Sequence, residues 1–138
     1  MPNLPQCKNY IVLNDKTRNV NYGNGYRCDS GKYYRAGQTK ITGSSSQWYR
    51  FMKPAGTKMP DYPPSLNGFK CGTVAPGWLE GGHPTNAGEV VKRRVCFSFL
   101  GKKCYGGLAR NVKVTHCGEF YVYALPFVPQ CNLGYCAN

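Results

Sequence analysis

The eight cysteines of this chain restrict its possible folds more than any other feature, and they are scattered over 138 residues from Cys7 to Cys136. An even number of widely spaced cysteines in a short chain is typical of a disulfide framework. Zinc knuckles instead repeat C-x2-C pairs, a spacing that does not occur here. We therefore predict four disulfides, no metal and no cofactor. Because disulfides persist only in an oxidising compartment, we also expect a secreted, extracellular protein.

Length and composition favour one packed domain over residues 1–138. The chain is 41% hydrophobic and only 17% charged, which is typical of a globule and not of a disordered tail. No stretch approaches the roughly 18 apolar residues that span a bilayer. Residues Met1 to Tyr10 have neither a basic start nor an apolar core, so we expect the targeting segment to be missing from this sequence.

Apolar residues alternate with polar ones in the second half of the chain. Val95, Phe97 and Phe99 fall on one face of a predicted strand. Segments 111–117 and 119–125 repeat the pattern, and the short link between them predicts an antiparallel hairpin. No segment has the apolar periodicity of a long helix. We predict an all-β fold of small antiparallel sheets, sandwich-like, stapled by four disulfides.

The net charge of +12, from 18 basic and 6 acidic residues, favours an acidic partner. Nucleic acid is not expected, because an extracellular disulfide protein rarely meets it. Glycans and acidic extracellular surfaces are the accessible polyanions. Solubility is the alternative explanation for the charge, and a solvated face is the alternative explanation for each basic cluster.

Candidate ligand-binding residues are either basic, and able to contact sulfate or carboxylate oxygens, or aromatic, and able to stack on sugar rings. They are Lys92, Arg93, Arg94, Lys102, Lys103, Tyr33, Tyr34 and Tyr105. Trp48 and Trp78 are expected in the core. Tyr121 and Tyr123 share one strand face, which is either a packed layer or an exposed aromatic strip.

Catalytic patterns are absent from the sequence. There is no G-x-S-x-G nucleophile elbow, no H-E-x-x-H metal motif and no phosphate-binding glycine loop. His83 and His116 are the only histidines, and the six carboxylates lie in unrelated contexts. We predict that the chain is not an enzyme.

A series of short motifs in order resembles the eight-cysteine extracellular domain of the uromodulin and zymogen-granule major glycoprotein family. The motifs are Cys28-Asp29, Trp48-Tyr49-Arg50-Phe51, Gly56, Lys58-Met59, Cys71-Gly72-Thr73, Pro76-Gly77-Trp78-Leu79, Gly82-His83-Pro84, Gly88-Glu89-Val90, Cys96, Val112-Lys113-Val114, Cys117, Tyr121-Val122-Tyr123 and Cys131 to Cys136. They extend over nearly the whole chain.

The resemblance implies a disulfide pairing that the sequence alone leaves open. The implied bonds are Cys7–Cys117, Cys28–Cys131, Cys71–Cys136 and Cys96–Cys104. Some relatives present an N-linked glycan from the loop after the Trp-Leu pair. Here that loop, Trp78 to Pro84, has no asparagine, and no N-x-[ST] sequon occurs anywhere. Glycan display is therefore not the expected mode of action.

These observations predict a secreted, non-enzymatic, lectin-like module that binds carbohydrate or polyanionic surfaces. A structural or adhesive matrix protein is one alternative, with Tyr and Lys mediating cohesion between chains. A cationic host-defence protein is the other, although no basic amphipathic helix is visible.

Overall fold

The computed structural model describes residues 3–30, 40–44 and 46–138, and this part of the chain is built from β-strands. Seven strands are formed: β1 (Ile11–Leu13), β2 (Tyr49–Phe51), β3 (Ala75–Glu80), β4 (Val90–Phe97), β5 (Arg110–His116), β6 (Tyr121–Ala124) and β7 (Leu133–Tyr135). Helical structure in the same residues is limited to three short 3-10 turns, at Pro5–Cys7, Lys16–Arg18 and Gly106–Leu108. The all-β prediction is confirmed. None of the described helical turns is long and apolar enough to cross a membrane.

All seven strands belong to one sheet, in the order β1-β2-β6-β5-β4-β3-β7. The predicted hairpin is present, with β5 and β6 antiparallel and His116 opposite Tyr121. The structure differs from the expected set of small antiparallel sheets because β1 and β7 add to the two edges in parallel. Each is three residues long, too short to show a period in the sequence.

One face of the sheet carries the main core. Residues directly opposite each other on neighbouring strands point to the same face, and the register aligns Leu79 with Val95 and Val114 with Tyr123. Buried side chains continue this face across every strand: Leu13, Tyr49, Phe51, Leu79, Val95, Phe97, Val112, Val114, Tyr123, Leu133 and Tyr135. The strip containing Tyr121 and Tyr123 is thus a packed layer.

Four disulfides hold the sheet, and they are the pairs that the family resemblance implies: Cys7–Cys117, Cys28–Cys131, Cys71–Cys136 and Cys96–Cys104. The first pins the N-terminal segment to the outer face of the sheet, where Gln6 Nε2 donates a hydrogen bond to Thr115 Oγ1. There Val122 forms a second, smaller cluster with this disulfide, packed against Trp48 and Phe120.

A buried cluster of charges closes the free edge of β7. Asp29 accepts hydrogen bonds from Arg18 and Arg27 and from the backbone N–H of Tyr135, at 2.8–3.0 Å. The two arginines and Asp29 are at most 1% exposed, and Asp15 provides a second carboxylate to Arg18. The two arginines are therefore balanced by two carboxylates. The backbone N–H of Tyr135 at the edge of the sheet is also hydrogen-bonded, so it is not available to pair with another strand.

A cationic groove as the candidate functional site

An open groove of about 900 Å³ lies along β3, β4, β5 and β6. Four basic residues and one acidic residue contribute to its wall. The residues that line it are Glu80, Gly81, Lys92, Arg93, Arg94, Asn111, Val112, Lys113, Ala124, Leu125 and Pro126. A concave surface on a sheet whose charged residues are mostly basic is a suitable place for an anionic ligand.

The strand register decides which side chains meet in this groove. Across the sheet, Arg94 lies between Glu80 on β3 and Asn111 on β5. In the next row Lys92 lies opposite Lys113. Because these residues alternate with buried core residues along their strands, they project from the outer face.

Two of the four basic groups are held by partners within the protein. Arg94 forms a two-point contact with Glu80, with Nε and Nη2 donating to the two carboxylate oxygens at 3.0 and 3.1 Å. Arg93 Nε donates to the carbonyl of Gly82, and its Nη1 donates to the carbonyl of Lys92. The bonds to Glu80 hold the Arg94 guanidinium in place in the groove. Arg93 lies opposite the core residue Val112, so its side chain leaves the strand on the core face, away from Lys92 and Arg94.

Lys92 and Lys113 are different because both are exposed and lie directly opposite each other. Neither ammonium group forms an ion pair with a carboxylate in the part of the chain that the structure describes. Like charges at opposite positions of a strand pair are destabilising. An anion between the two lysines would relieve that repulsion.

The predicted basic residues separate into two places. Lys92, Arg93 and Arg94 line the groove. Lys102 and Lys103 do not belong to its wall and are exposed in the turn after β4.

The predicted aromatic residues are not part of the groove either. Tyr105 lines a smaller cleft, of about 270 Å³, together with Phe99 and Leu108. Tyr33 and Tyr34 lie outside the described residues. No aromatic side chain is among the described residues that line the groove, so charge and hydrogen bonding, not stacking, are the interactions that this site offers.

Sequence reasoning missed three polar groove residues, Glu80, Asn111 and Lys113. The sequence does indicate where Lys113 points. Because Val112 and Val114 face the core, the side chain between them must lie on the outer face. Its proximity to Lys92 depends on the lateral register of β4 and β5, which no local pattern reveals.

His83, in the loop after β3, has a structural role on the core side of the sheet. The hydroxyl of Tyr123 lies 2.7 Å from His83 Nε2 and accepts a hydrogen bond from the backbone N–H of Met59. The Tyr123 hydroxyl can then donate only to an unprotonated ring nitrogen. Burial, together with Lys58, lowers the pKa of His83 to about 4.

We expect His83 to make stability depend on pH between about 6.5 and 4. A histidine whose pKa is lowered in the folded state favours the fold while it is neutral, so stability falls as the pH drops through this window. Since His83 is partly exposed, we expect a loss of about 1–2 kcal/mol at pH 4.5. Urea unfolding at several pH values measures it. His83→Gln should flatten this part of the curve; an unchanged slope in His83→Gln would contradict the assignment.

Comparison with known proteins places this geometry in a family. Residues 49–137 match the domain family described as uromodulin-like. The chain is 33% identical to uromodulin from Mus musculus over 132 residues, which are 96% of this chain and 18% of that protein. It is 34% identical to the pancreatic secretory granule membrane major glycoprotein GP2 from Rattus norvegicus over 135 residues, 96% of this chain and 23% of that protein. GP2 from Canis lupus familiaris is also 34% identical over 133 residues, 96% of this chain and 23% of that protein. The chain spans about a fifth of the length of these relatives.

Proposed function

The chain belongs to the uromodulin-like domain family, and from this premise we propose that it is an extracellular recognition module that binds acidic carbohydrate in its cationic groove. The observation that carries the proposal is the pair of exposed lysines, Lys92 and Lys113, opposite each other beside Arg94 and Asn111. Sulfate and carboxylate groups of a glycan provide the oxygens that lysine and asparagine donors bind.

The surface charge of the molecule supports an anionic ligand. Of the six carboxylates, Asp15 and Asp29 are committed to the buried cluster, and Glu80 is paired with Arg94. The basic side chains of the surface therefore greatly outnumber the remaining acids. Such a field attracts polyanions over several ångströms and weakens as salt is added.

Three further parts of the proposal concern domain, location and chemistry. We propose one domain over residues 1–138, because a single sheet contains both the first and the last strand. Secretion is supported by the four disulfides and by the name of GP2, which places that relative in a secretory granule membrane. A non-enzymatic role is supported by the use of all eight cysteines in bridges, so that none remains as a nucleophile.

We expect the double variant Lys92→Gln/Lys113→Gln to bind a sulfated glycosaminoglycan about tenfold more weakly than the wild type. Each exposed lysine contributes about 0.7 kcal/mol to an ionic contact, so the two together contribute about 1.4 kcal/mol, a factor of about ten in affinity. The same variant should be equally stable or slightly more stable to urea, because a like-charge pair is removed. Binding is measured by surface plasmon resonance on immobilised heparan sulfate at two salt concentrations, with neutral mannan as the comparison ligand.

The matched control is Lys8→Gln/Lys53→Gln, which removes two exposed lysines outside the groove and gives the same net charge. It should retain most of the binding. Equal losses in the two variants would show that net charge alone attracts the glycan and would contradict a groove site. A wild type that does not bind heparan sulfate at low salt would refute the proposed function, whether or not it binds mannan.

A further inference from the structure

Two loops at one end of the sheet carry an exposed apolar surface that the groove does not use. We call it the apolar loop patch; it consists of Leu66, Phe69 and Leu100, whose side chains are 42%, 46% and 69% exposed. The loops touch directly, since the backbone N–H of Gly101 donates to the carbonyl of Leu66 at 2.8 Å. Large apolar groups gathered this way on a small protein are typical of a contact surface.

The patch is held in place by its own local structure. Ser98 Oγ donates to the carbonyl of Ser65, and the rings of Phe69 and Phe99 meet edge to face at 5.7 Å. The Cys96–Cys104 disulfide closes the second loop. Little ordering is therefore needed when a partner binds.

Two residues of the apolar loop patch have an unfavourable backbone conformation. Phe69 and Leu100 have φ angles of 60° and 49°, in the left-handed region that bulky side chains rarely occupy. Holding two large apolar residues there costs conformational free energy, and both side chains remain exposed. Strain of this kind is concentrated at functional sites.

The surroundings of the patch are basic. Segments 65–70 and 98–105 contain Lys70, Lys102 and Lys103 and no acidic residue. Lys102 and Lys103 are exposed, and the Lys102 ammonium lies 5.1 Å from the centre of the Tyr105 ring. Exposed apolar side chains and lysines in the same two segments match the chemistry of a membrane surface with anionic headgroups.

We propose that the apolar loop patch is a peripheral docking site for an anionic lipid membrane. Leu66, Phe69 and Leu100 enter the interface between headgroups and acyl chains, while Lys102 and Lys103 contact lipid phosphates or carboxylates. A second copy of the chain is a poorer occupant, because two patches face to face would bring their lysines together. This site is separate from the groove, and it does not depend on the glycan proposal.

The test is cosedimentation of the full chain with phosphatidylcholine vesicles, with and without phosphatidylserine. We expect binding only when phosphatidylserine is present. Lys102→Gln/Lys103→Gln should weaken it by about 25-fold, since about 1 kcal/mol per lysine is a factor of about five. Phe69→Asn/Leu100→Asn should weaken it roughly tenfold or more. Asparagine tolerates the left-handed region, so this variant is designed to fold.

Two controls separate the patch from the rest of the basic surface. Lys8→Gln/Lys53→Gln and the groove variant Lys92→Gln/Lys113→Gln should both retain most of the vesicle binding.

A fluorescence experiment tests whether the patch enters the membrane. Leu66→Trp provides a fluorescent reporter at an exposed position, and nitroxide-labelled acyl chains should quench its fluorescence in phosphatidylserine vesicles.

Several outcomes would overturn the proposal. One is the absence of binding to phosphatidylserine vesicles, and another is binding that survives Phe69→Asn/Leu100→Asn, which would show adsorption by charge alone. Loss of vesicle binding in the groove variant would show that lipid binds in the groove and not at the patch. Concentration-dependent self-association that Leu100→Asn abolishes, without vesicle binding, would assign the patch to a second copy. Binding to an acidic protein but not to vesicles would assign it to a protein partner.

Discussion

Replacing Asp29 with asparagine is expected to lower the free energy of unfolding by about 3–5 kcal/mol, the usual cost of removing one partner from a buried ion pair. The carboxylate accepts four hydrogen bonds, three of them from Arg18 and Arg27. Asparagine keeps the shape but loses the charge and places an N–H₂ group against buried guanidinium groups. Urea unfolding at neutral pH measures the loss. Glu119→Gln, a matched change at an exposed position, should alter stability by less than about 0.5 kcal/mol.

The pH dependence of the same variant gives a second readout. Burial by itself would raise the pKa of Asp29, but Arg18 and Arg27 outweigh it and hold the pKa below its ordinary value. Such a carboxyl stabilises the fold where it is ionised, so its contribution is present above about pH 4 and is lost as the pH falls further. Asp29→Asn should therefore show a smaller decline in stability below pH 4 than the wild type. If the stability of the two proteins declined equally below pH 4, this role for Asp29 would be ruled out.

Removing the Cys7–Cys117 bridge by substituting alanine at both positions is expected to cost about 4–5 kcal/mol, by the chain-entropy relation for a loop of this length. The two cysteines are 110 residues apart, so the bridge excludes a large share of unfolded conformations. It also holds the N-terminal segment against Val122 and Phe120. The measurement is urea unfolding under non-reducing conditions.

The matched comparison is the Cys96–Cys104 bridge, whose partners are 8 residues apart. The same relation gives about 2.5 kcal/mol for its removal. A larger loss for the short bridge than for the long one would mean that native packing, and not restriction of the unfolded chain, dominates the effect. Refolding of each variant after dilution from urea checks that the transition is reversible.

The groove shows where sequence reasoning about the site succeeds and where it stops. The basic run from Lys92 to Arg94 is visible as a local feature, and it does line the groove. Lys113 and Asn111 reach the same groove only because β4 and β5 pair in one particular register. Lys102, although close to Lys92 in sequence, falls outside the wall because the turn after β4 carries it away.

Buried charge is a second feature that the sequence conceals. Arg18 and Arg27 look like ordinary surface residues in a basic chain, yet neither is more than 1% exposed. Their burial depends on Asp29, which β7 and the Cys28–Cys131 bridge bring next to them. Composition gives no sign of this arrangement, because the partners are assembled from separate segments.

The close packing beside this cluster is also not visible in the sequence. A Cβ atom at Gly134 would lie 2.6 Å from the Arg27 guanidinium, so this position has room only for glycine.

The sequence by itself determined the strand character of the chain, the disulfide framework and the inward faces of the central strands, since these follow from cysteine spacing and from alternation over neighbouring residues. Only the tertiary structure decided that β1 and β7 join one sheet, that Lys92 meets Lys113, and that Leu66 meets the loop of Leu100. The reason is physical: side-chain alternation is a property of a single strand, whereas lateral register and loop contacts arise from packing between segments that are distant in the chain.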